Sequence, residues 1–206
     1  MFTFDCSTCP TRCDGKTAAQ FDFEKDVAFS ERIENAVVKF INQKYPFLTA
    51  KKTEQAGYPD IEISLKNETQ SCVAFIEIKG QARTFMAVNR ILKASKLQPS
   101  ETIALNLSDL ERYFAIKDKE KLPLYVIWCV FCRPCVLQGK EKRFFYQEID
   151  RLKKIRQADK LDSRKYRRAS GKGDVVAGKH KGVVVNYHFS LNELVVGLPD
   201  FNKLIF

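Results

Sequence analysis

Histidine is scarce in this chain. There are two in 206 residues, His180 and His188, and neither stands at a spacing that pairs it with a nucleophile or a second ligand. Ser/His/Asp and Cys/His chemistry therefore lack a base, and a histidine-built metal centre is poorly supported. Long apolar runs are also missing. The longest, residues 124–132, falls far short of the roughly 20 residues that a spanning helix needs, so no membrane span is expected. The opening residues Met1-Phe2-Thr3-Phe4-Asp5-Cys6 have neither the basic nor the apolar region of a secretory signal, and a cytoplasmic location is the expectation. In a reducing compartment the seven cysteines argue against a disulfide framework, and their clustering points to metal.

Apolar residues make up 45% of the sequence, enough for one sizeable core. The formal net charge is +10 and the pI about 9.2, which favours an anionic partner, nucleic acid first. Much of the excess lies in residues 151–181, where twelve lysines and arginines face three aspartates. A charge run is often only a solvated face. This one interleaves Tyr166 and contains Ser170-Gly171-Lys172-Gly173. It reads as a flexible arm whose Arg164, Lys165, Arg167, Arg168 and Lys172 contact phosphates, giving affinity with little sequence specificity.

The pattern predicts one α/β domain over 1–206: a cysteine-containing segment to residue 29, a core over 30–150, the basic loop or arm over 151–182, and a return to the core over 183–206. Ser30 is a plausible N-cap, and Ile33, Val37, Phe40 and Ile41 form a helical stripe ending before Pro46. An extended segment at 47–52 precedes two strands, 61–65 and 72–78, separated by Lys66-Asn67-Glu68-Thr69-Gln70 and read as an antiparallel hairpin. Helical patterns return after Thr84 and from Ser108, then Pro123 opens a strand over 124–131. Residues 144–155 fit a strand or a helix, and the tail is strand-like from Val183 to Phe189.

In such a hairpin Asp60 lies across from Glu77, and side-chain alternation puts Glu77 and Lys79 on one face with Ile76 and Ile78 on the other. Two carboxylates brought together repel, and a hard divalent cation such as Mg²⁺ compensates them. Such an ion acidifies a bound water and stabilises attack on a phosphodiester, while Lys79 is placed to orient or deprotonate that water or to offset phosphate charge. The alternative is a turn at Pro59-Asp60 followed by a solvated Glu77–Lys79 pair of little energetic value.

Pro59-Asp60 followed by Glu77-Ile78-Lys79 resembles the PD-(D/E)xK nuclease superfamily over residues 30–131. The resemblance implies a restriction endonuclease-like fold with a central mixed β-sheet flanked by helices. It implies a Mg²⁺-dependent DNA endonuclease with Asp60 and Glu77 as metal ligands and Lys79 at the attacking water. It also implies a supporting acid on the preceding helix, best matched by Glu34 with Glu31 as the alternative, and a substrate-contacting Gln81. A homodimer would suit cleavage of both strands.

Cys6-Ser7-Thr8-Cys9 and Cys132-Arg133-Pro134-Cys135 are CxxC pairs, the spacing with which two thiolates grip a tetrahedral ion. Together they predict a structural zinc staple on Cys6, Cys9, Cys132 and Cys135. An iron–sulfur cluster that also recruits Cys13 and Cys129 is the alternative, and Cys72 and Cys129 read more simply as buried small hydrophobes. The competing functional class is a non-catalytic, zinc-stapled nucleic-acid-binding module.

Overall fold

The computed structural model describes residue 6 and residues 23–66, 71–81, 84–167, 175–176, 179–180 and 184–204. Helix α1 (Phe23–Lys44) begins earlier than its stripe predicts and ends where Pro46 requires. Ile33, Val37 and Ile41 recur every four residues and are buried, so α1 presents an apolar face from Ile33 to Ile41.

Strands β1 (Leu48–Lys52), β2 (Ile61–Leu65) and β3 (Cys72–Gln81) form an antiparallel meander. The single turn α2 (Val88–Ile91) follows, then β4 (Thr102–Asn106), α3 (Leu107–Glu120) and β5 (Leu124–Phe131). β5 pairs parallel with β3, which demands a crossover. The chain between them, with β4 and α3, supplies it. After the short α4 (Pro134–Leu137), β6 (Lys142–Glu148) runs antiparallel to β5 and leads directly into α5 (Ile149–Ala158). Residues 144–155, ambiguous between strand and helix in sequence, thus contain both, with the change at Glu148.

The main sheet has the order β1-β2-β3-β5-β6-β11, with β11 at Val195–Val196. A second sheet sets β10 (Val185–Ser190) between β4 and β7 (Lys165–Arg167). A two-stranded ribbon joins β8 (Val175–Val176) to β9 (Lys179–His180). The architecture is a central mixed sheet flanked by helices.

α1 packs on one face of the main sheet, where Ile33, Val37 and Ile41 meet Ile61, Ile63, Ile76, Ile78 and Ile127. On the other face, residues of α3 and α5 and of the second sheet, including Ile103, Leu105, Tyr187 and Phe189, meet Phe75, Val126 and Trp128. β3 and β5 are covered on both faces, which accounts for the near-continuous apolar run of β5.

Candidate active site

Ile61 pairs with Ile76 across β2 and β3, which places Asp60 opposite Glu77. The backbone N–H of Ile78 donates to Asp60 Oδ2 at 2.7 Å, so the acid is fixed at the strand end. Side-chain alternation then separates the two kinds of residue. Ile76 and Ile78 enter the core under α1, while Glu77 turns toward α3 and is only 2% exposed. Lys79 forms an ion pair with Glu77, its side chain one-third exposed.

The electrostatics are those of a crowded acid pair. Burial, and then the charge of Glu77, push the Asp60 carboxyl up to about 7, against the Ile78 hydrogen bond and the Lys79 cation. Burial works against a charged Lys79, but Glu77 and Asp60 outweigh it and its pKa is raised. Lys79 is therefore an ammonium in this arrangement, suited to orienting a nucleophile or steadying phosphate charge rather than to taking a proton.

Glu34 is carried by α1 and paired with Lys52 of β1 at 2.9 Å. It is close enough for its charge to act on Asp60. Gln81, at the end of β3, accepts the N–H of Ala104 at 3.3 Å, so its carbonyl joins the two sheets.

Three residues of α3 belong to this environment without any signal in the motif. Tyr113 is buried and donates its hydroxyl to Glu77; burial and that carboxylate raise its pKa. Arg112 Nη2 reaches the Tyr113 hydroxyl at 3.4 Å and Asp109 at 2.9 Å, and Asp109 also acts on Lys79. In sequence Tyr113 reads only as one step of an apolar stripe. What gives it away is the folded position of α3, on the same side of β3 as Glu77.

The donor set of Asp60 and Glu77 is all oxygen, charged and crowded, which suits a hard divalent ion that keeps several waters. Among the described residues no group of three or more His, Cys, Asp or Glu side chains is arranged to hold a metal. These two carboxylates alone would provide the protein's side-chain ligands.

Of the cysteines, Cys6 lies against Ser100, Sγ to Oγ 2.9 Å. The carbonyl of Ser100 in turn accepts from Arg133, inside the second CxxC, at 2.9 Å. Cys132 and Cys135 are exposed; Cys9 and Cys13 lie outside the described residues. Cys129 is fully buried among apolar side chains, and burial pushes its thiol up to about 11. That environment suits a small hydrophobe and not a cluster-ligating thiolate.

The basic segment divides. Its first part is α5, anchored through Leu152, with Lys153 paired to Asp118 and Arg156 to Asp162. Arg164 is engaged by Glu193 at 2.7 Å. Lys165 and Arg167 are exposed on β7, whereas Arg168 and Lys172 lie outside the described residues.

No protein-family model matches the chain, and no curated protein matches it in sequence. Among solved structures, the chain is similar to Hjc, a Holliday junction resolvase from the archaeal hyperthermophile Archaeoglobus fulgidus. The match has 10% identity, covers 85% of this chain and 95% of that one, and has a TM-score of 0.43.

Proposed function

We propose that the protein is a Mg²⁺-dependent DNA endonuclease of the PD-(D/E)xK type on a restriction endonuclease-like core, with Asp60, Glu77 and Lys79 at its centre. The observation that carries this reading is the hairpin register, which sets Asp60 opposite the buried Glu77, with the half-buried Asp60 carboxylate accepting from the Ile78 amide. Two acids forced together inside a fold cost stability, and a charge-compensated function accounts for that cost better than packing does. Asp60 and Glu77 would hold the ion, which when bound supplies an acidified water and charge stabilisation. Lys79 orients the nucleophile and balances phosphate charge, Tyr113 fixes the Glu77 carboxylate, and Glu34 holds Lys52 beside Asp60. Arg167 offers an exposed cation to the DNA backbone, Lys165 offers another in exchange for its 3.7 Å pairing with Asp162, and Gln81 is a further backbone contact. Cutting both strands would be served by a homodimer.

The test is incubation of the protein and its Glu77→Ala variant with plasmid, linear and branched DNA, in Mg²⁺ or in EDTA. Cleavage that needs Mg²⁺ and is lost in the variant is the expected result. Binding of all three DNAs without cutting any of them would favour the non-catalytic binding module instead.

A structural zinc on Cys6, Cys9, Cys132 and Cys135 belongs to the same proposal. Cys6 and the Cys132–Cys135 loop converge on Ser100, one through its side chain and the other through its carbonyl. Metal analysis of purified protein should give about one zinc per chain, lost in Cys135→Ser. Iron with a visible absorption band would mark the cluster alternative.

A further inference from the structure

A cavity of about 280 Å³ opens just beyond the end of β3, between the 84–92 segment and the second sheet. Its walls are apolar and aromatic, with Phe85, Leu92 and Tyr166 among them. Two polar side chains face this lining. Thr84 is 6% exposed and its hydroxyl is buried without a hydrogen-bond partner among the described residues. His188 is 2% exposed, and its Nδ1 lies 3.0 Å from the Arg164 carbonyl. A carbonyl can only accept, so Nδ1 carries the proton. Burial lowers the pKa of this imidazole, so the ring is neutral and Nε2 is left as an acceptor. The cavity thus combines a stacking surface, an acceptor and an unsatisfied hydroxyl.

One wall carries positive charge. Tyr166 is half-buried, while Lys165 and Arg167, its neighbours on β7, are exposed on the opposite face of the strand, away from the cavity. Arg90 and Lys93 are exposed on the turns that build the other wall. An apolar slot with two exposed cations on the turns of one wall matches a flat aromatic ligand carried on a polyanion. A volume near the lower end of the roughly 300–1,000 Å³ range of ligand sites suits one base better than a large cofactor. Thr84 is five residues past Lys79, so the chain holds the cavity within roughly 18 Å of it. That is about five nucleotides at 3.4 Å per step.

We infer that this cavity receives a single unstacked nucleobase of the DNA, one bearing an amino group, packed between Phe85 and Tyr166 and hydrogen-bonded by Thr84 and His188. The inference rests on the nuclease reading for the identity of the polyanion. It makes the preferred substrate a DNA with an unpaired nucleotide near the cleavage point, because a paired duplex keeps its bases in the stack.

The experiment measures binding in EDTA, where no cleavage is expected, to three DNAs: a paired duplex, the same duplex with one extra unpaired adenine, and the same with an abasic residue in place of that adenine. The expected result is binding of the adenine bulge at least about tenfold tighter than the abasic one, the scale that stacking of one base on an aromatic side chain provides. Tyr166→Ala and Phe85→Ala should reduce that ratio to near one with affinity for the paired duplex unchanged. Thr84→Val, a change of one hydroxyl, should reduce it in part while leaving the melting temperature near that of the wild type. Equal wild-type affinity for adenine and abasic bulges overturns the cavity assignment while leaving the nuclease reading to its own cleavage assay. Failure to bind any DNA overturns both.

Discussion

Asp60 is held in a position that opposes its own ionisation. Its folded pKa of about 7, against 3.8 ordinarily, means that between those values the folded chain binds a proton the unfolded chain has released. Stability is then highest at low pH and falls as pH rises from about 4 through 7. Asp60→Asn, which keeps the shape and removes the charge, should raise the metal-free melting temperature at pH 8 by at least the roughly 2–4 °C that 1 kcal/mol represents in a chain this size. The gain should vanish near pH 4, and the variant should not cleave DNA. A thermal scan at the two pH values checks the sign. Added Mg²⁺ should stabilise the wild type more at pH 8 than at pH 6, because ion and proton compete for the same carboxylate. Tyr113→Phe removes one hydrogen bond from Glu77, and we expect cleavage to slow by about tenfold, the scale of one hydrogen bond, as read from a Mg²⁺ titration of the rate, with little change in melting temperature in a parallel thermal scan. The acids and the lysine were legible in the sequence because the hairpin that unites them is local. Tyr113, Arg112 and Asp109 were not, because their relation to Glu77 exists only after α3 has crossed between two parallel strands.

The seam between α1 and β3 governs where these acids stand. Ile41 is fully buried in it, so Ile41→Ala should cost about 2–5 kcal/mol, measured by urea denaturation. Gly80 is closer to the site, and an added Cβ there would lie 3.3 Å from the Phe29 ring. Gly80→Val should therefore crowd the Phe29 and Ile33 side chains of α1 and slow cleavage more than its loss of stability explains; rates compared well below the melting temperature separate the two effects. β2 and β5 coincide with their sequence patterns, β2 because apolar and polar residues alternate along it and β5 because it is a short apolar run opened by Pro123. β4 escaped notice, since Thr102–Asn106 runs into α3 without a turn between them and its pairing partner β10 lies far along the chain. The helical pattern after Thr84 shrank to the single turn of α2. Its apolar residues line a cavity instead of covering a sheet.

Across the whole molecule, charge and architecture set the terms of binding. A chain with net charge +10 should bind DNA with an affinity that falls steeply as salt rises. Replacing Lys165 and Arg167 together with alanine should make the log–log salt slope shallower by about 1–2, which a fluorescence anisotropy series can resolve. The basic segment looked uniform in sequence, but Arg164 and Arg156 are held by Glu193 and Asp162, and Lys165 also reaches Asp162 at 3.7 Å. Composition reports the number of cations and not which of them are already neutralised. Strand β10 is the middle strand of the second sheet, bridging β4 and β7 and filling the core with Tyr187 and Phe189. During synthesis on a ribosome, β4 emerges long before that partner and waits with an unpaired edge beside exposed apolar surface. A chain released early, ending before Val185, should accumulate as insoluble aggregate, so roughly the last tenth of the polypeptide acts as a quality check on the rest.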